Sequence, residues 1–554
     1  MTDLLRRAYS GPRDWLLAER PDWKVAALAV VAAVAAAVVC LPRDYQRSGL
    51  HVPLAAALGV MAVGIAVAVL AAYRPWPALL AWILAMPFFT AARLGPFVGW
   101  IQLTPSTVIL ATLACSFLLG LGRPSGAGER QAQRPLRSTA LYVAIGGAIP
   151  LLAIVATALS PDLSTGIPIT MHGVLEPVLI GLLLIAMRPT TRQLAALGAV
   201  MAASVAIAGA VSLARMLTIV HSFGDFQSLR AELGRVTYYN VGILGGMLVM
   251  VVPFIVVAIV RPAPFASAVE RAAGMLAALA GRVSEPRRSE PGPRAQLWVR
   301  LAGVLALALV LLVTYLTYSK SAWIATLVVF VGLALTLPGS WRGRSLACVA
   351  VLAASALVVP YGDLVAIATG HSSPAPATTT PTNDRQNSFN PNSPEGEISI
   401  TERYIATKAA IAMTVDHPLF GVGPGLFGVE YAGPYHDPQA KEVLQSPHDL
   451  LPNVSAEYGL PLAVLLALVV AAALAEGWRL WRSTGGLARL VALAFGLSLL
   501  AFMIVATLFG TDLYRAYRYM NTDMLYFGLV LGAIAVLRPS LETEQVGSPV
   551  RARP

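Results

Sequence analysis

The side chains of this 554-residue sequence best suited to chemistry are one histidine and a scattered set of cations. His448 stands in Ser446-Pro447-His448-Asp449-Leu450-Leu451, just ahead of a long apolar stretch. An imidazole titrates near pH 6.5 when unperturbed, so it can accept a proton at neutral pH, as a general base must. By position alone, a histidine merely resting at a membrane interface is the plainer reading. Glu457 follows about two helical turns later and offers a second polar group, functional or simply interfacial. The cations of interest are Arg230 and Arg235, Lys320 in Tyr318-Ser319-Lys320-Ser321, Arg403, and Arg515 with Arg518. Planar guanidinium groups match phosphate oxygens in pairs, so a cluster drawn from these would suit a diphosphate. Binding of lipid headgroups without chemistry is the alternative for each. Gly421-Val-Gly423-Pro-Gly425 lacks the βαβ surroundings of a nucleotide loop and reads as a sharp turn. Its glycines would let the backbone come close to a headgroup or a facing helix.

The elements that must position these groups are set by composition. Apolar residues make up 57% of the chain and charged ones only 12%, about half the share usual in soluble domains. Mean hydropathy is +0.69. A soluble multidomain enzyme is thereby excluded, and an all-α polytopic membrane protein is expected. At roughly 20 residues per crossing, apolar runs at 24–41, 52–72, 76–92, 101–121, 139–159, 173–187, 193–215, 240–260, 299–318, 322–337, 345–361, 449–475, 488–510 and 521–537 predict about 14 transmembrane helices. The first run is longer than a signal-peptide core and reads as an uncleaved anchor. Cys40, Cys115 and Cys348 all fall inside apolar runs, which leaves no disulfide framework or thiol metal site.

Net charge of +11 would suggest nucleic acid on a soluble protein, but Lys and Arg also gather in cytoplasmic loops of membrane proteins. With both termini placed in the cytoplasm, the basic segments 122–138, 261–298, 338–344 and 476–489 all fall inside. The excess is then topological, and no nucleic-acid partner is expected. The division that follows is an N-terminal helical part (1–227), a central part (228–361) with the basic loop 261–298, a large extracytoplasmic loop (362–447), C-terminal helices (448–537) and a cytoplasmic tail (538–554). The large loop holds nine acids and four bases, net −5. Residues 371–394, rich in Pro, Thr, Ser and Asn, read as flexible. Ile398, Ile405, Ala409, Ala412 and Val415 recur at helical spacing and predict an amphipathic helix ending at Asp416-His417-Pro418. All seven histidines map to outer loops or outer helix ends, which directs the search for chemistry to that face.

Taken in order, Arg403 in a helix, Pro418-Leu-Phe-Gly421-Val-Gly423-Pro-Gly425, His448-Asp-Leu-Leu and Glu457-Tyr-Gly459 resemble the signature of the O-antigen ligase and O-antigen polymerase superfamily. Tyr318-Ser319-Lys320-Ser-Ala-Trp323 resembles its Ser-Arg-Gly-x-Trp, and Arg230 to Asn240 its Arg-rich stretch; the likeness spans about residues 228–537. There are departures. Asp449 stands where the family has Asn, Pro452 where it has Leu, Lys320 where it has Arg, and Tyr238-Tyr239-Asn240 where it has an Asn-Pro-Asn-like run.

The resemblance implies a glycosyltransferase of the inner membrane working on its extracytoplasmic face. The donor would be an oligosaccharide on a polyprenyl diphosphate, the acceptor a hydroxyl of a glycan or lipid, and the anomeric carbon would invert. Arg403 with Arg230, Arg235 and Lys320 would hold the diphosphate, His448 would take the acceptor's proton, and Gly421, Gly423 and Gly425 would shape the loop. The lipid tail would lie between helices. Neither a cofactor nor a metal is expected, since diphosphate is a good leaving group and the outer carboxylates show no paired ligand pattern. A transporter or flippase of such lipids would need ionisable residues deep in the spans, where the apolar runs show almost none. A non-catalytic scaffold binding glycan through the large loop is the other rival.

Overall fold

The computed structural model describes residues 75–89, 97–98, 101–102, 110, 113–114, 137–187, 189–219, 241–266, 292–317, 319–337, 342–345, 348, 394–440, 444–508 and 522–537. Apart from a two-residue antiparallel pair, β1 (Phe97–Val98) with β2 (Ile101–Gln102), these residues build helices. The runs expected at 24–41, 52–72 and most of 345–361 and 101–121 lie outside the described residues, as do the tail, the basic loop 267–290 and the flexible stretch up to residue 393.

Long apolar segments become helices because only intrasegment hydrogen bonds satisfy a backbone deprived of water. In order they are α1 (Pro75–Phe89), α2 (Arg137–Ala158), α3 (Leu163–Met187), α4 (Thr191–Ile219), α5 (Val241–Val260), α6 (Pro293–Leu316) and α7 (Lys320–Thr336). Then come α8 (Pro394–Asp416), α9 (Phe427–Ala432), α10 (Leu450–Tyr458), α11 (Leu460–Ser483), α12 (Gly486–Leu508) and α13 (Thr522–Val536). Among the described residues, five helices are long and apolar enough to cross a membrane: α3, Thr191–Ala214 within α4, α6, α11 and Gly486–Thr507 within α12. Shorter apolar segments at Gly147–Ala158, Leu244–Val260, Ser321–Thr336 and Asp523–Val536 accompany them.

The helix α5 is the hub. It packs on α4, α6, α7 and α12, and its residues from Leu244 to Val257 are buried nearly all round. By contrast, α6 turns Trp298, Val304 and Leu305 outward, with Leu305 70% exposed. Such an apolar outer face is what hydrocarbon would cover. The helices α3 and α13 lie in the same direction and touch through small residues. A β-carbon at Gly528 would sit 2.1 Å from the carbonyl oxygen of Pro177, and one at Gly532 2.7 Å from that of Gly181. Close backbone approach of this kind is the usual way helices associate without a hydrophobic driving force.

Two expectations change. The run expected at 449–475 is two helices, α10 and α11, broken at Gly459, whose φ is 91°. Hydropathy does not see the break, because both pieces are apolar; the Gly459-Leu460-Pro461 turn makes it. The run expected at 173–187 begins at Leu163, because Asp162 caps the helix there. Its carboxylate accepts from the Ser164 and Thr165 amides at 2.9 and 3.2 Å and from both their hydroxyls. That carboxyl is held below its ordinary pKa, chiefly by the two hydroxyls.

Candidate functional site

The segment α8 to α10 forms a layer over one end of the bundle. The helix α8 ends at Asp416, one residue before His417-Pro418. Its buried stripe is Glu402, Ile405, Ala406, Ala409, Ala410 and Met413, which packs with Phe427, Tyr431 and Ala456. Ala412 and Val415, expected on that stripe, lie on the exposed side, with Val415 71% exposed. The stripe follows the i, i+3, i+7 and i+11 rows from Glu402, and Val415 falls off that row. Glu402 is buried on that stripe although a carboxylate counts as polar in any hydropathy pattern.

The glycine turn follows. Gly421, Gly423 and Gly425 have φ of 68°, 113° and 77°, a region that penalises any β-carbon. Val422 N donates to Ala456 O at 2.8 Å and Gly423 N to Glu457 O at 3.1 Å, so the turn closes on the end of α10. A β-carbon at Gly421 would lie 2.4 Å from the Glu457 carbonyl carbon, and one at Gly425 2.1 Å from Ile169 Cδ1 on α3. The turn is thus wedged between α10 and α3, and what its backbone approaches is protein.

Pairing of α8 with α10 sets Arg403 near Asp449, the residue that follows His448. Thr407 Oγ1 donates to Asp449 Oδ2 at 3.2 Å, and Thr414 Oγ1 to Ser455 Oγ at 2.9 Å, which ties the two helices side by side. The charge of Arg403 acts on the Asp449 carboxyl, lowering its pKa, yet burial dominates and leaves it raised. His448 is part-buried, its Nδ1 3.4 Å from Ser446 Oγ, with a φ of 60°. Glu457 is fully buried in α10. So an imidazole, a guanidinium and two carboxyls share one end of the bundle.

Lys320 is the first residue of α7, after the cap Ser319, whose hydroxyl accepts from Ala322 N. The α6–α7 corner around it is fixed: Trp323 Nε1 donates to Thr314 O at 3.2 Å, and its ring stacks on Tyr315. Gly245 at the start of α5 meets Ala322 and Ser319, and Gly246 meets Val505 near the end of α12. Because α11 crosses and α12 returns, that corner lies at the same end as α10. Arg230, Arg235, Arg515 and Arg518 lie outside the described residues.

Sequence reading missed a buried pair. His172 Nδ1 lies 3.1 Å from Glu176 Oε1 inside α3, where Met171–Leu175 forms a π-helical turn, and both residues are buried. At 1.5 Å per residue His172 is about 14 Å along α3 from its start. His172 thus lies deeper than the outer helix end expected for it, and with Glu176 it puts ionisable groups within a span where almost none were expected. The two mask each other's polarity inside the bundle, and their i, i+4 spacing was the available signal. Nearby, Thr157 Oγ1 bonds Thr170 Oγ1 at 2.6 Å, which bonds Tyr458 OH at 3.0 Å, linking α2, α3 and α10. Below α10 an apolar cavity of about 90 Å³ lies between α3, α11 and α13. Leu450 and Val454 border it from α10, and Val174 to Ile185 follow it along α3. Among the described residues, no three His, Cys, Asp or Glu side chains gather as metal ligands.

Residues 305–467 of the chain match the family model described as O-antigen ligase, a range that includes α7, α8, the glycine turn and α10. The match supports the O-antigen ligase superfamily. Together with the apolar helices it points to an integral membrane protein. No curated protein matches the chain.

Proposed function

From the O-antigen ligase match, which implies a glycosyltransferase-type membrane enzyme, we propose that this protein moves a glycan from a polyprenyl-diphosphate donor to an acceptor hydroxyl on the extracytoplasmic face of the inner membrane. The acceptor is a glycan or lipid. The observation that supports this best is that Arg403 acts on Asp449, the chain neighbour of His448, above the apolar cavity. A diphosphate held at Arg403, with Lys320, Arg230 and Arg235 as further cations, would have its lipid tail directed into that cavity.

In the reaction the acceptor oxygen attacks the anomeric carbon from the face opposite the diphosphate. The carbon–oxygen bond to the phosphate breaks with inversion, the hydroxyl proton passes to His448 Nε2 or Nδ1, and the leaving diphosphate keeps the electron pair. Arg403 offsets the charge growing on the leaving oxygens. The role of the glycines is to hold α10, and with it His448, against α3. No metal or cofactor takes part in this scheme. A purified preparation given lipid-linked oligosaccharide should transfer it without ATP, and His448→Ala should abolish that transfer. Undiminished transfer in that variant would falsify the assignment of the base. A lengthened lipid-linked glycan as product indicates a polymerase, and a glycan on a different acceptor a ligase.

One observation favours a second reading. The His172–Glu176 pair lies inside a span, where ionisable groups mark transport paths. Under that reading, vesicles holding the protein would move a fluorescent lipid-linked glycan between leaflets, Glu176→Gln would stop it, and no transfer product would form.

A further inference from the structure

Asp449 is the cap residue of α10, yet its side chain makes no hydrogen bond to that helix. A capping Asp ordinarily accepts from the second or third amide of the helix that it precedes. Here the carboxyl turns to α8 instead, where Thr407 donates to it and the Arg403 charge acts on it. Arg403 and Thr407 are four residues apart and so share a helix face. The acidic and basic residues on the elements packed against it are Glu395, Glu397, Glu402, Arg403, Lys408 and Asp416 on α8, Glu430 on α9 and Glu457 on α10, with His448 next to it in the chain. Of these, Arg403 is the one whose charge bears on the Asp449 carboxyl.

We propose that Asp449 is a built-in counterion that occupies Arg403 until a diphosphate replaces it, and so sets the affinity of the site for that anion. This rests on reading Arg403 as a phosphate ligand. Two anions at one guanidinium repel. At about 5 Å and an effective dielectric near 20 the penalty corresponds to an affinity change of roughly ten- to a hundredfold, after screening. Binding therefore draws a proton from solvent onto the carboxyl, which burial already inclines toward the neutral form.

The test is calorimetric titration of farnesyl diphosphate into the full-length protein in detergent micelles, from pH 5.5 to 8, in two buffers of different ionisation enthalpy. Asp449→Asn should bind roughly ten- to a hundredfold tighter at pH 7.5, the gap should narrow toward pH 5.5, and the variant should take up fewer protons than the wild type. Thr407→Val removes a bond that favours the carboxylate, so the pH at which wild-type binding weakens should move upward. The wild-type proton uptake and the Thr407→Val shift test the idea even if Asp449→Asn misfolds. Binding that needs Arg403, by loss in Arg403→Ala, but is equal in wild type and Asp449→Asn overturns the counterion alone. Binding indifferent to Arg403→Ala overturns the phosphate reading and the counterion with it.

Discussion

Among the described non-glycine residues, His448 is alone in having a positive φ, 60°. That conformation costs an L-residue about 1–2 kcal/mol, and such strain tends to persist where a side chain must be aimed. The proposed base role supplies that reason. His448→Gly should lose transfer at least a hundredfold, yet melt at the same temperature or slightly higher, since glycine relieves the strain at a backbone-entropy cost of about 0.5–1 kcal/mol. A marked fall in melting temperature would instead make the imidazole a structural strut. Arg403→Lys keeps the charge but loses the paired donors. Its catalytic efficiency should drop about tenfold or more with little change in thermal stability, measured on the same preparation. The residue types were legible in sequence because most cations fall in the loops assigned to the cytoplasm and only seven histidines are present; that Asp449 faces Arg403 was not, since it depends on how α8 meets α10.

At the scale of elements, the glycine turn and the caps do the positioning. Gly421→Ala would force a β-carbon onto the backbone of Glu457, where no side chain can rotate away, besides demanding a φ of 68°. We expect a loss of about 3 kcal/mol or more, read as faster hydrogen exchange over 394–458 while α5 and α12 keep their protection. Asp162 offers a pH test. Its folded pKa lies below the ordinary carboxyl value of 3.8, so its capping contribution is present above that value and fades as pH falls through the lower one. Asp162→Asn keeps a capping oxygen but loses the charge at the helix N-terminus; it should remove about 0.3–1 kcal/mol at pH 7 and flatten the acid limb of a thermal-stability profile. Helix α8 and its stop before His417-Pro418 could be read in the sequence from spacing and proline. The break at Gly459 could not, because hydropathy averages over a single turn.

At the scale of the molecule, the described residues form a bundle around α5 with α3 and α13 closing one side of an apolar cavity. Leu182→Trp adds bulk to that cavity; it should raise KM for a long-chain polyprenyl donor several-fold while sparing a short-chain one, in a transfer assay comparing the two. An equal effect on both would remove the cavity from the reading of the tail site. The sequence by itself determined that the chain is helical and built for a membrane, because a backbone without water must bond within its own segment and because charge this scarce cannot cover a soluble surface. It also marked Arg403, the glycine turn and His448 as an ordered set. Only the tertiary structure decided which of these meet. The α8–α10 pairing, the wedge of glycines against α3, the buried His172–Glu176 pair and the cavity all arise from contacts between segments far apart in the chain, whose register is set by small residues and shape rather than by any periodicity a single segment carries.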